Sequence, residues 1–155
     1  YETDDFPVSA DDALIERAPV RLDRLVPVVS RDHADRLLPK AGDSRPLDVI
    51  GYPDDVFFGK ILALRIFPDL AQSHIIAPVC ETALVPAVVG LAREGAGIAW
   101  VPESILAHTN ADNCLIDASE ILPSYKLTVS AMRLKTPRAQ IAEHVWNELL
   151  ATSAR

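Results

Sequence analysis

The chain has 155 residues, 49% of them hydrophobic, which is room and material for one ordinary domain or two small lobes around a packed core and argues against disorder. Its formal charge of −7 repels nucleic acid phosphates and anionic membranes, so these residues alone are expected to bind DNA poorly. Two cysteines, Cys80 and Cys114, with no CxxC, form neither a disulfide framework nor a zinc pattern, and point to a reducing, cytoplasmic setting. No apolar run is long enough to span a bilayer and no charged-then-apolar leader opens the sequence, while the start at Tyr1 suggests a piece of a longer chain.

Residues 1–16 hold Glu2, Asp4, Asp5, Asp11, Asp12 and Glu16 with no basic residue, which predicts a solvated loop; the alternative is an acidic metal site. Residues 22–30, LDRLVPVVS, predict a strand, and Pro27, which cannot donate to a ladder, places it at an edge or a bulge. A second strand over 47–52 stops at Pro53, and Asp54 or Asp55 is placed to cap a helix through VFFGKILALRIF. SHIIAPV predicts a third strand. Glu81 or Thr82 then caps a helix over 82–94 that is apolar nearly all round and so is expected to lie buried between layers.

Residues 97–101 return as a strand, and Pro102 with Glu103 starts a short helix ending near His108. NCLIDAS and SYKLTVSAMRL are the last strands, with Leu127, Val129, Ala131 and Arg133 on one face. The closing helix, about 137–152, is expected to take Thr136 as cap and Pro137 in its first turn. Ile141, Val145 and Leu149, beside Trp146 and Leu150, form an apolar face to lay on a sheet. Alternating strands and helices predict an α/β fold with a mostly parallel sheet.

The GxG in GLAREGAGIAWVPES invites comparison with a dinucleotide loop, which needs a third glycine after a strand and before a helix. Here Trp100 holds the third position and the order is reversed, helix before and strand after. Gly95 instead suits the left-handed residue that ends a helix, with Arg93 in the last turn where a cation favours the dipole. No GxSxG, HExxH or Walker loop occurs, and no metal-like spacing among His33, His74, His108 and His144, so no catalytic set can be assembled and no enzyme or metal site is expected. Cys80, at a strand end near a helix start, is a candidate redox thiol.

In this order, RLVPVVSRDHA, PLDVIGYP, VCETALVPAVVGLAREGAGIAWVPESIL and LTVSAMRLKTPRAQIAEHVWNELL resemble the effector-binding domain of LysR-type transcriptional regulators, over essentially the whole chain. GIAWVPE is similar to a branch of that family that includes hypochlorite-responsive regulators. The resemblance implies a type II periplasmic-binding-protein-like fold: two α/β sandwich lobes joined by crossing strands, with a small-molecule effector between them and no cofactor. Residues 16–124 would form lobe II, and residues 1–15 with 125–155 part of lobe I. The family's DNA-binding winged helix-turn-helix and the first half of lobe I would be absent.

Gly51, Tyr52, Pro53 and Asp54 match the family's second-lobe contact turn, with a packed aromatic as the alternative role for Tyr52. Cys80, Glu81 and Thr82 are candidates for the other wall, with helix capping as their plainer role. Free amides at the two helix starts suit an anion, whereas Glu81 leaves room for an amine-bearing or neutral ligand. The implied partners are the effector and further copies in a homodimer or tetramer, with DNA held only through the missing domain. A truncated periplasmic solute-binding protein and a redox sensor using Cys80 or Met132 are the alternatives, and an enzyme of the prephenate-dehydratase kind is the third.

Overall fold

The computed structural model describes residues 1–6, 13–40, 42, 44–136 and 140–153. The described chain divides into two compact units, Tyr1–Arg24 with Lys126–Arg155, and Leu25–Tyr125. The elements run in the order β1 (Ile15–Ser30), a 3₁₀ turn (Arg31–His33) with α1 (Ala34–Leu37), β2 (Leu47–Gly51), α2 (Phe57–Ile61), a π-helical segment (Leu62–Ile66), α3 (Phe67–Leu70) and β3 (Ile76–Glu81). Then follow α4 (Val85–Arg93), β4 (Ile98–Pro102), α5 (Glu103–Thr109), β5 (Leu115–Asp117), β6 (Tyr125–Leu134) and α6 (Gln140–Ser153).

In the larger unit the strand order is β3-β2-β4-β1-β5. β2 pairs in parallel with both β3 and β4, whereas β1 is antiparallel to β4 and to β5, so the sheet is mixed rather than mostly parallel. β1 is also not the edge that Pro27 suggested. Pro27 sits opposite Trp100, and its carbonyl accepts the Ala118 N–H at 2.9 Å, one residue past the end of β5. A strand residue points its N–H and C=O to the same side, so the donor that proline lacks falls where the ladder has stopped.

Trp100, Ile98, Val49 and Ile50 are fully buried at the centre, and Trp100 Nε1 donates to the Pro123 carbonyl at 2.8 Å. The helix expected from VFFGKILALRIF is one run from α2 through α3, widened in the middle: the Phe67 N–H reaches the Leu62 carbonyl, five residues back. Pro68 explains the widening, because in a regular helix its ring would clash with the Leu64 carbonyl. The wider turn keeps Leu62, Ile66 and Leu70 buried at intervals of four. Neither Asp54 nor Asp55 caps this run; Val56 occupies the cap and no side chain bonds there.

α4 begins at Val85, three residues later than expected, with Leu84 at its cap. It is not buried between layers. Val88, Val89 and Ala92 face the core, while Leu84 is 66% exposed and Pro86 and Gly90 also face solvent. Such a sequence, apolar all round, satisfies the core with one stripe and leaves the remainder to solvent.

In the smaller unit β6 pairs with β1, the Lys135 N–H bonds to the Leu14 carbonyl, and Glu2 bridges to Thr128. The acidic opening is therefore partly tied to this sheet rather than free: Glu2 pairs with Arg17 and accepts from the Ser130 hydroxyl. Asp11 and Asp12 lie outside the described residues, as does the expected start of α6 at Pro137. Of the apolar residues predicted to lay α6 on the sheet, Trp146 is buried, but Ile141 is 69% and Val145 52% exposed.

Candidate functional site

Because β2, β3 and β4 are parallel, their C-terminal ends lie at one end of the larger unit. The chain leaves β2 for β3 on one side and returns as β4 on the other, which makes β2 a topological switch point, where open α/β sheets take their ligands. Both stretches singled out in the sequence end here. Gly51 closes β2 opposite Glu81 of β3, and its carbonyl accepts the Thr82 N–H at 3.2 Å. Cys80 is set opposite Ile50 by an irregularity in register between Val49 and Ile50. Gly51, Cys80, Glu81 and Thr82 thus form one continuous lip.

The seven candidates present different groups. Tyr52 turns inward: it is 3% exposed, its hydroxyl donates to the Trp100 carbonyl at 3.0 Å, and its ring lies 5.5 Å from that of Phe58. Burial pushes its phenol well above the ordinary tyrosine value, so the ring is a neutral post beneath the lip and only its backbone faces the turn. Pro53 is half-buried and its carbonyl takes the Val56 N–H at 3.1 Å. Asp54 and Glu81 are exposed, and Cys80 is a half-exposed free thiol. The Thr82 hydroxyl accepts the Leu84 N–H at 3.3 Å, closing the turn before α4 rather than capping the helix.

Gly59, not singled out from the sequence, shapes the same turn. A Cβ there would stand 1.9 Å from the Pro53 carbonyl oxygen, so only glycine lets the 52–53 turn rest on α2. The signal was a glycine inside a predicted helix, which often marks a close backbone approach. The start of α4 offers an anion less than the sequence suggested: Pro86 has no N–H, and the Ala87 and Val88 amides already bond to the Leu84 carbonyl. Asp54, Asp55, Glu81 and Glu103 are the exposed charges at the strand ends, with Lys60 farther along α2. No group of three or more potential metal ligands occurs among the described residues.

No protein-family model matches the sequence, and no curated protein matches it. Solved structures do. The apo regulatory domain of HypT from Salmonella typhimurium superimposes with a TM-score of 0.71 at 23% identity, covering 94% of this chain and 70% of that one. The fold is that of a LysR-type regulatory domain. DarR of Vibrio fischeri, a LysR-type regulator solved with DNA, matches with a TM-score of 0.70 at 16% identity over 91% of this chain and 48% of its own. The effector domain of AmpR from Pseudomonas aeruginosa gives 0.63 at 15% identity, over 90% and 65%. The chain therefore spans about two thirds of the solved regulatory domains and about half of a full-length regulator. This regulatory-domain fold, of the type II periplasmic-binding-protein kind, is the one the sequence motifs implied.

Cys114 differs from Cys80 in chemistry. Its thiol is held protonated by a hydrogen bond to the Asp112 carboxylate, the opposite of an activated thiolate, and Asp112 in turn bonds to Arg93 at 3.2 Å. No helix of the described residues is long and apolar enough to cross a membrane.

Proposed function

We propose that the chain is the effector-sensing part of a LysR-type transcriptional regulator, non-catalytic, binding a small molecule at the C-terminal ends of β2 and β3. The observation that carries this reading is the lip at the switch point, where Gly51 and Thr82 are joined by a backbone hydrogen bond. Gly51, Pro53, Asp54, Cys80, Glu81 and Thr82 contact the effector, and Tyr52 supports them from beneath. Leu25–Tyr125 serves as lobe II, with Tyr1–Arg24 and Lys126–Arg155 contributing to lobe I. The effector is neutral or carries an amine, since Asp54, Asp55, Glu81 and Glu103 surround the lip and α4 offers few free amides.

Effector binding favours one of two arrangements of a homo-oligomer, and that preference reaches DNA through a DNA-binding domain elsewhere in the protein. The test pairs two DNA assays in the cytoplasmic host. The intact gene product is expected to footprint a promoter, while these 155 residues, at a charge of −7, shift no DNA in a gel. Tight DNA binding by the 155 residues, or a secretion leader in place of a helix-turn-helix on the intact product, contradicts the reading; the leader would favour a solute receptor. The half-exposed Cys80 thiol at the lip favours an oxidant-responsive variant of the same function, and an unchanged oxidant response in Cys80→Ser removes the thiol from it.

A further inference from the structure

At the end of the larger unit opposite the lip is a cavity of about 320 Å³ lined by Ser44, Arg45, Ala71, Ser73, His74 and Ile75. These residues meet because β2 and β3 run in parallel and start level. Leu47 is paired with Ile76, and the Leu47 N–H donates to the Ile75 carbonyl at 2.7 Å, so the residues just before β2 stand beside those just before β3. Both approaches are anchored. The Ser73 and His74 N–H groups donate to the Leu70 carbonyl at the end of α3, at 3.1 and 2.9 Å, and Arg45 Nη1 donates to the Arg36 carbonyl at 3.2 Å, which orients its guanidinium.

The polar side chains here are donors. Arg45 presents a planar cation, Ser44 and Ser73 present hydroxyls, and the His74 imidazole has an N–H to give in either tautomer. His74 is half-buried, and the Ser73 hydroxyl reaches the Leu70 carbonyl only at 3.5 Å, the limit of a hydrogen bond. No carboxylate is among the described lining residues, although the chain's formal charge is −7. Salt screens that overall charge beyond roughly 10 Å, so the local donors decide what enters. The end of α3 opposes an anion little, because the Phe67, Asp69 and Leu70 carbonyls already accept the Ala71, Gln72, Ser73 and His74 N–H groups. Ala71 and Ile75, the latter 63% exposed, add an apolar wall.

We propose that this cavity binds a phosphate group, free or carried as a monoester by a small metabolite, at a second site separate from the lip. Arg45 takes two phosphate oxygens in its fork, Ser44, Ser73 and His74 donate to the others, and Ile75 faces whatever the phosphate carries. Donors on four residues match the oxygens of a phosphate better than the two of a carboxylate. The site goes beyond the sensing role at the lip and does not depend on it. The carboxylates of the lip favour an amine or a neutral compound, whereas these donors favour an anion.

The experiment follows the amide chemical shifts of the 155-residue chain during titration with inorganic phosphate, phenyl phosphate or acetate, with sodium chloride holding the ionic strength constant. Both phosphates should shift the Ser44, Arg45, Ser73 and His74 amides saturably and leave Gly51 and Thr82 in place, and acetate should bind about tenfold more weakly or worse. Arg45→Ala should weaken phosphate binding about tenfold or more, and Arg45→Lys by less, since it keeps the charge and loses the fork. Where the Arg45→Ala spectrum shows a disturbed fold, His74→Ala takes its place, with a several-fold loss expected. A preference for phenyl phosphate that Ile75→Ser abolishes identifies a monoester as the ligand, and equal affinities identify free phosphate; either result upholds the site. Shifts that do not saturate, saturable shifts confined to other residues, acetate binding as tight as phosphate, or an unchanged phosphate affinity in a folded Arg45→Ala or its His74→Ala substitute overturn the proposal.

Discussion

Gly95 has a φ of +73°, and a Cβ added there would lie 2.5 Å from the His33 ring. Gly95→Ala is therefore expected to lose about 1–3 kcal/mol in urea unfolding from backbone strain, with the ring clash added to it. His33→Ala in the same chain should return only the clash. Gly90, in α4, is the contrast, since a Cβ added there would meet nothing within 4 Å. Gly90→Ala should gain about 0.5–1 kcal/mol. The role of Gly95 was legible because a helix end and a strand start bracket it in the sequence. That His33, more than sixty residues earlier, supplies the wall was not, since only the folded chain brings them together. Tyr52 makes a pH-dependent prediction. Its phenol stays protonated in the folded state above the ordinary value of 10.0, whereas the unfolded chain ionises there, so the stability it gives is intact below pH 10.0 and falls as pH rises beyond it. Tyr52→Phe should lose about 1 kcal/mol at neutral pH with the Trp100 hydrogen bond, and should flatten the alkaline decline in a stability–pH series.

The run from α2 to α3 shows what periodicity carries and what it omits. Its apolar content predicts a helix, and a helix forms, but the π-helical turn depends on the steric demand of Pro68, which a count of apolar positions does not register. Ile66 in that turn is fully buried, whereas Ile141 in α6 is largely exposed. Ile66→Ala is expected to cost about 2–5 kcal/mol, and Ile141→Ala to stay within about 0.5 kcal/mol in the 155-residue chain; calorimetry on both variants checks the contrast. The periodicity of α6 was read correctly and its burial was not, because amphipathicity says which face seeks cover without saying what supplies it. The same holds for α4, whose Leu84 end remains open to solvent. At the lip, the residue types of Gly51 to Asp54 and Cys80 to Thr82 were visible in sequence; that Tyr52 points inward was not, since a residue following a strand can turn to either face.

At the scale of the molecule, charge and fold constrain function in different ways. A charge of −7 disfavours contact with the DNA backbone by these residues, so the proposed function leaves DNA recognition to another part of the protein. The order β3-β2-β4 gives the larger unit its switch point, and the parallel ends of those strands give it a lip. The alternation of strands and helices was legible and so was the parallel character of these three strands, whereas their spatial order was not. The antiparallel insertion of β1 was not, since a strand pairing across more than seventy residues of chain leaves no local mark. The sensing role is tested most directly by amide chemical-shift mapping on the 155-residue chain with a panel of small amines, neutral metabolites and carboxylates. A binding amine or neutral compound is expected to shift the amides of Gly51, Asp54, Cys80, Glu81 and Thr82 together. Saturable shifts confined to other residues, or binding by carboxylates alone, would contradict the proposed site and its ligand class.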